Sequence, residues 1–149
     1  METRIQKEFI DHGFGFPVRL RNVPMVKVRR EWTPNLNYDH VARAVLQLLA
    51  FKASRLSGNE IKFIRTHFEM TLHDFSKRLD VSHVAVLKWE RAKNQPTAMN
   101  WSTEKDIRLF ILSKLRVKSV MVVELYSKLE AVPNRKPASL DLDVEKIAA

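Results

Sequence analysis

No cysteine occurs among the 149 residues of this chain. Disulfides and thiolate metal sites are therefore excluded, and the composition suits a reducing compartment. Glycine is scarce, with three in the chain. Two of them, Gly13 and Gly15, form GFG with no phosphate-loop pattern around it. No apolar run reaches the roughly 18 residues that a membrane-spanning helix needs. The opening METRIQKEFI lacks an apolar signal core. A cytoplasmic protein without membrane attachment is expected. His12, His40, His67, His73 and His83 make no HxxxH pair, which argues against zinc. No nucleophile motif is present. The expectation is a protein with no catalytic residue, no metal and no cofactor. Internal repeats and low-complexity tracts are also missing.

What the chain does have is positive charge. Its formal net charge is +9. Residues 1–57 carry 10 basic and 5 acidic side chains, residues 58–100 carry 7 and 5, and residues 101–149 carry 9 and 7. The surplus is thus largest before the middle of the chain. Such a surplus draws polyanions. With 45% hydrophobic residues, a chain of this length can bury one core and carry an appendage.

The most organised stretch runs from Leu56 to Pro96. Ser57 and Glu60 form an S-x-x-E capping box ahead of Ile61, Ile64 and Phe68, which recur at helical spacing. Thr71 and Asp74 repeat the box, with Phe75 and Leu79 inward and Ser76 small enough for close helix packing. Asp80 falls where the chain must turn, and Asp tolerates left-handed geometry. Ser82 is a natural N-cap for a third helix through Val86 and Trp89, closed by Gln95-Pro96. Two short helices joined by a tight turn make a helix-turn-helix. With the basic surplus, this unit points to nucleic acid.

The residues Leu56, Ile61, Ile64, Thr71, Phe75, Ser76, Leu79, Val81, Ser82, Val86, Trp89 and Glu90 resemble the lambda-repressor-like (Cro-like, XRE) helix-turn-helix family. The Val81-Ser82 and Trp89-Glu90 pairs carry the resemblance furthest. Asp80 and Ala92 stand where the family usually has Gly. Ala92 implies a third helix that runs on slightly or ends without a left-handed cap. The resemblance implies that the third helix enters the major groove of a palindromic operator, bound by a homodimer. His83, Val84 and Lys88 become the base-reading candidates, Lys88 toward guanine and Val84 toward a thymine methyl. Thr71, His73, Ser82, Leu87, Arg91 and Lys93 become candidates for phosphate or groove contact. Ser82 also has a capping role and Leu87 a packing role to fill. Trp89 and Glu90 are expected to be structural.

The remainder is expected to be mainly α, α+β overall. Within residues 1–55, Phe14, Phe16, Val18 and Leu20 suggest one strand. Val23 to Val28, broken by Pro24, suggests another, with turns at Gly13–Gly15 and Arg21-Asn22. A connecting helix is expected over 38–55, capped by Asp39 and inward at Val41, Val45, Leu48 and Leu49. Residues 56–132 are expected to hold a five-helix DNA-binding domain. Its fourth helix, over 101–115, has a Thr103/Asp106 capping box, and a further helix covers roughly Val117–Val132. That last helix has apolar surface to spare, for core or for a dimer interface. Residues 133–149 are polar and proline-containing, expected to be a mobile tail whose end forms a short helix on a partner.

Residues 9–57 also resemble the region that precedes the helix-turn-helix in MqsA/HigA-like (YgiT-type) antitoxins. There the strand near Val26–Val28 leads into a CxxC zinc knuckle; here the run is Val28-Arg29-Arg30-Glu31, and zinc is not carried over. The combined expectation is a sequence-specific transcriptional repressor. As an antitoxin it would autoregulate its operon and hold a toxin protein. A mobile-element or phage regulator without a toxin partner, and a protein-interaction adaptor, are the alternatives.

Overall fold

Ser57, Thr71 and Ser82 each take an extended backbone, and each side chain accepts from the backbone N–H three residues on. These local bonds start three helices where the sequence places them. The computed structural model describes residues 1–134, 136 and 139–147. The protein is α+β, and its contacts divide it into two units. A sheet unit combines residues 1–45 with the segment from Ser139, and a helical unit covers 46–138.

The sheet unit contains β1 (Thr3–Asp11), β2 (Val18–Val28), β3 (Glu31–Pro34) and β4 (Leu140–Asp143). β1 pairs antiparallel with β2, from Thr3 opposite Val26 to Asp11 opposite Val18. On the other side of β2, β4 runs parallel beside Val18–Arg21 and β3 antiparallel beside Met25–Val28. The core-facing residues of β2 are Val18, Leu20, Val23 and Met25. The alternation slips once, at Asn22, whose φ is 58°. Asn adopts that region at lower cost than most residues.

Three expectations about this region are corrected. Val18 and Leu20 of the first candidate join the second candidate in one strand, while Phe14 and Phe16 lie in the turn before it, and Arg21-Asn22 is a kink within the strand, not a reversal. Pro24 does not break β2 because its missing donor falls just past the end of the β3 ladder. β4 pairing stops at Arg21 and β3 pairing begins at Met25. The Pro24 carbonyl still accepts from Asn35 N–H at 2.8 Å, on that same side. A strand tolerates proline in such a place. Residues 140–147 are not a mobile tail. They form β4 and a single 3-10 turn, Val144–Lys146, while Ala148 and Ala149 lie outside the described residues. The turn at Gly13–Gly15 forms as expected, with Gly15 N–H donating to the His12 carbonyl at 3.1 Å and φ of 95° at Gly15.

A two-residue turn joins β2 to β3. Arg29 and Arg30 have φ of 49° and 69° between the paired residues Val28 and Glu31. Two left-handed residues in a two-residue hairpin suit Asn-Gly. A side chain there costs roughly 1–2 kcal/mol per residue.

The connecting helix, α1, spans Tyr38–Ala50, shorter than expected. Its cap is Asn37, not Asp39: the Asn37 side-chain oxygen accepts from the Asp39 and His40 N–H groups at 3.1 and 3.3 Å. The helix stops early because Arg108 claims the carbonyls at its end and just beyond it. Its guanidinium donates to Ala50 (3.3 Å), Lys52 (2.6 Å) and Ser54 (2.7 Å). Orphan carbonyls at a helix end need such a partner.

Five helices follow: α2 (Gly58–His67), α3 (Leu72–Leu79), α4 (His83–Arg91), α5 (Trp101–Leu115) and α6 (Ser119–Lys128). Leu46, Leu56, Ile64, Phe75, Val86 and Ile107 are among the fully buried side chains around which they pack. The expected capping box of α5 does not form. The helix spans Trp101–Leu115 as expected, but its N-cap is Asn100 in place of Thr103, and Asn100 makes no side-chain cap bond. Asp106 pairs instead with Arg78 at 3.0 and 3.3 Å.

Candidate nucleic-acid interface

The capping box of α3 is complete: Thr71 Oγ1 accepts from Asp74 N–H at 3.0 Å, and Asp74 accepts from Thr71 N–H at 3.1 Å. Leu79 ends α3, and Asp80 follows with φ 56° and ψ 47°, a left-handed cap. That residue turns the chain directly into Ser82, whose Oγ accepts from Ala85 N–H at 3.1 Å to start α4. The turn therefore rests on one left-handed Asp and one serine cap, as the residue types imply.

α4 is anchored from its inner side. Val86 is fully buried and Trp89 is 8% exposed. Arg65 of α2 grips Glu90 through two bonds, 2.6 and 2.9 Å, and donates a third to the Met70 carbonyl at 2.9 Å. Both side chains are largely withdrawn from water. A bidentate guanidinium–carboxylate pair adds direction as well as attraction. Glu90 is structural, as expected; its partner Arg65 was not visible in the helix pattern.

The far end of α4 is held by close backbone approach. A Cβ at Gly58 would lie 2.3 Å from the Trp89 carbonyl oxygen and 2.7 Å from Lys93 N. Asn59 N–H donates to the Lys93 carbonyl at 2.8 Å, and Gly58 N–H to that of Gln95 at 3.2 Å. Helix α4 ends at Arg91, Ala92 remains right-handed, and Lys93 takes φ of 54°. The missing glycine at position 92 is thus accommodated by shifting the left-handed residue one place on. A glycine directly after the Ser57 cap, at the first position of α2, was the available signal for this approach.

The outer side of α4 is open. Ser82, His83, Val84, Lys88, Arg91 and Lys93 are exposed, Val84 by 61%. Val84, Lys88 and Arg91 share one face by helical spacing. Leu87 is half-buried, so its packing role takes part of its surface. Thr71 and His73 are exposed at the start of α3. Lys88, Arg91 and Lys93 make no ion pair among the described residues.

The two helix starts differ in charge. Asp74 occupies the first turn of α3, and its hydrogen bonds from the Thr71 backbone and side chain hold its carboxyl below the ordinary range. That terminus already has its anion. The first turn of α4 contains no acidic residue, so no carboxylate within that turn offsets the positive end of the helix. Such a terminus favours a phosphate. Among the described residues, no three His, Asp or Glu side chains cluster as a metal site requires. No described helix is long and apolar enough to cross a membrane.

Over 58 residues the chain is 36% identical to the HTH-type transcriptional regulator DicA of Escherichia coli (strain K12). The match covers 39% of this chain and 37% of that protein. No family model matches the chain, and no solved structure matches it. The likeness is to a helix-turn-helix regulator, the class to which α3, its turn and α4 already pointed.

Proposed function

We propose that this chain is a DNA-binding transcriptional repressor of the lambda-repressor-like (XRE) family. In this reading α2–α6 are its five-helix domain, and α4 is the helix that reads the major groove. The observation that carries the reading is the asymmetry of α4. Its inner side is locked by Trp89, the Arg65–Glu90 pair and Gly58, while its outer side presents unpaired cations beside an open helix start. His83, Val84 and Lys88 read bases. Ser82, Arg91 and Lys93 hold phosphates, with Leu87 in the groove and Thr71 and His73 at its margin.

The repressor acts as a homodimer on a palindromic site. On α6, Val120, Val123 and Tyr126 are 70%, 65% and 65% exposed at three-residue spacing. An antiparallel pairing of two copies about Val123 sets Val120 opposite Tyr126 and brings Arg116 toward Glu130. The site is its own promoter, and the sheet unit holds a toxin protein, as the antitoxin resemblance implies. Co-purification with the product of the adjacent gene tests that second role.

The primary test is fluorescence anisotropy with a duplex of the chain's own promoter. Lys88→Ala should weaken specific binding by about 1–3 kcal/mol and relax discrimination at one base pair. Unchanged affinity would show that α4 does not read bases through Lys88.

A further inference from the structure

Nothing in the sheet accounts for Arg29 and Arg30. Both occupy left-handed positions in the β2–β3 turn, where Asn-Gly would fit without strain. Both are exposed, and neither makes a hydrogen bond or ion pair among the described residues. Close behind the turn, Arg4 lies 4.3 Å and Lys27 5.9 Å from the centre of the Trp32 ring. Two carboxylates oppose this group: Glu2, 3.8 Å from Lys27, and the exposed Glu31. Cations remain in excess at the tip. Local strain without a compensating contact is the mark of a functional constraint. Guanidinium groups pair with phosphate oxygens in bidentate fashion.

We infer that the β2–β3 hairpin is a second nucleic-acid contact, gripping the phosphodiester backbone through Arg29 and Arg30 without reading bases. The inference rests on the DNA-binding reading above. Phosphodiester is favoured over an acidic protein because protein interfaces centre on buried apolar anchors. The turn offers only Val28 for that purpose, while Trp32 is already covered by cations. Backbone contact needs only charge and reach.

The test compares the full chain with its Arg29→Asn/Arg30→Gly variant on the same promoter duplex, across a salt series. The substitution installs the residues that the turn prefers, so the melting temperature should hold or rise. The slope of log affinity against log salt should fall by about 1.8, the share of two phosphate contacts. At low salt the variant should bind roughly tenfold more weakly, with the ratio of operator to scrambled-sequence affinity unchanged. An unchanged slope in the variant, beside a salt-dependent parent, overturns the hairpin contact alone. Absence of salt-dependent binding in the parent overturns the DNA reading as well.

Discussion

Each unit has its own ionic cluster, and the two differ in water. In the helical unit Glu104 is fully buried and Arg108 is 1% exposed. Glu104 accepts from Arg55 (2.9 Å), from Leu56 N–H (3.2 Å) and from Arg108 (2.9 and 3.2 Å). Burial pulls the Arg108 guanidinium below its ordinary pKa, and Glu104 opposes that pull. In the sheet unit Asp141 meets Arg19 and Arg21, but these side chains are 39%, 46% and 40% exposed. The residue types match and the consequences do not. The buried cluster fixes where α1 stops and how the chain enters α2, because no water can replace a missing partner. The exposed cluster trims an edge that the β2–β4 ladder already holds, and solvent screens it.

This contrast can be broken by measurement. Glu104→Ala should destabilise the protein most, by about 3–5 kcal/mol, since it leaves Arg108 buried and uncompensated; denaturant unfolding followed by helix signal reads the loss. Gly58→Ala comes next. Its methyl meets backbone at 2.3 Å, so the end of α4 must move, at about 1–3 kcal/mol, and operator affinity should fall with it. Asp141→Ala should cost under about 1 kcal/mol by the same assay. Equal losses for Asp141→Ala and Glu104→Ala would erase the distinction between the clusters.

The smallest effect is acidic and touches both units. Asp74 is held below its ordinary pKa chiefly by its hydrogen bonds from Thr71, and Asp143 chiefly by that from Asn22. A carboxyl depressed in the folded state contributes stability above its unfolded value of 3.8. That contribution is lost as pH falls through the lower folded value. Melting temperature should therefore decline between about pH 5 and about pH 2. Asp74→Asn and Asp143→Asn should each flatten the decline, and a profile identical to the parent's in both variants would refute these assignments.

The helical unit was legible wherever its determinants are local. Ser57 with Glu60, Thr71 with Asp74, Ser82 and Asp80 act within three or four residues, so spacing alone finds them. Local reading failed where a distant partner was on offer. Asp106 leaves its capping position for Arg78, and α1 loses its last turn to Arg108. The sheet unit was harder because its pairs are far apart in sequence. β1 buries only Asp11 among its nine residues, so it leaves little apolar pattern. β4 finds β2 about 120 residues away, through Arg21–Asp141 and Asn22–Asp143, and the short alternation of Leu140 and Leu142 with Asp141 and Asp143 does not name its partner. The candidate interface divided in the same way. Its outward residues follow from helical spacing, but Arg65 and Gly58, which hold them in place, do not.

By itself, the sequence determined where the three helices of Leu56–Pro96 begin, which side of α4 is polar, and that no disulfide stabilises the fold. Those properties depend on backbone donors satisfied within a turn and on residue type. Only the tertiary structure decided which charges are buried, which end of α4 is clamped, and that residues 140–143 complete a sheet. Burial and long-range pairing are properties of the folded whole, because the free energy of a charge or a strand edge depends on what excludes water from it.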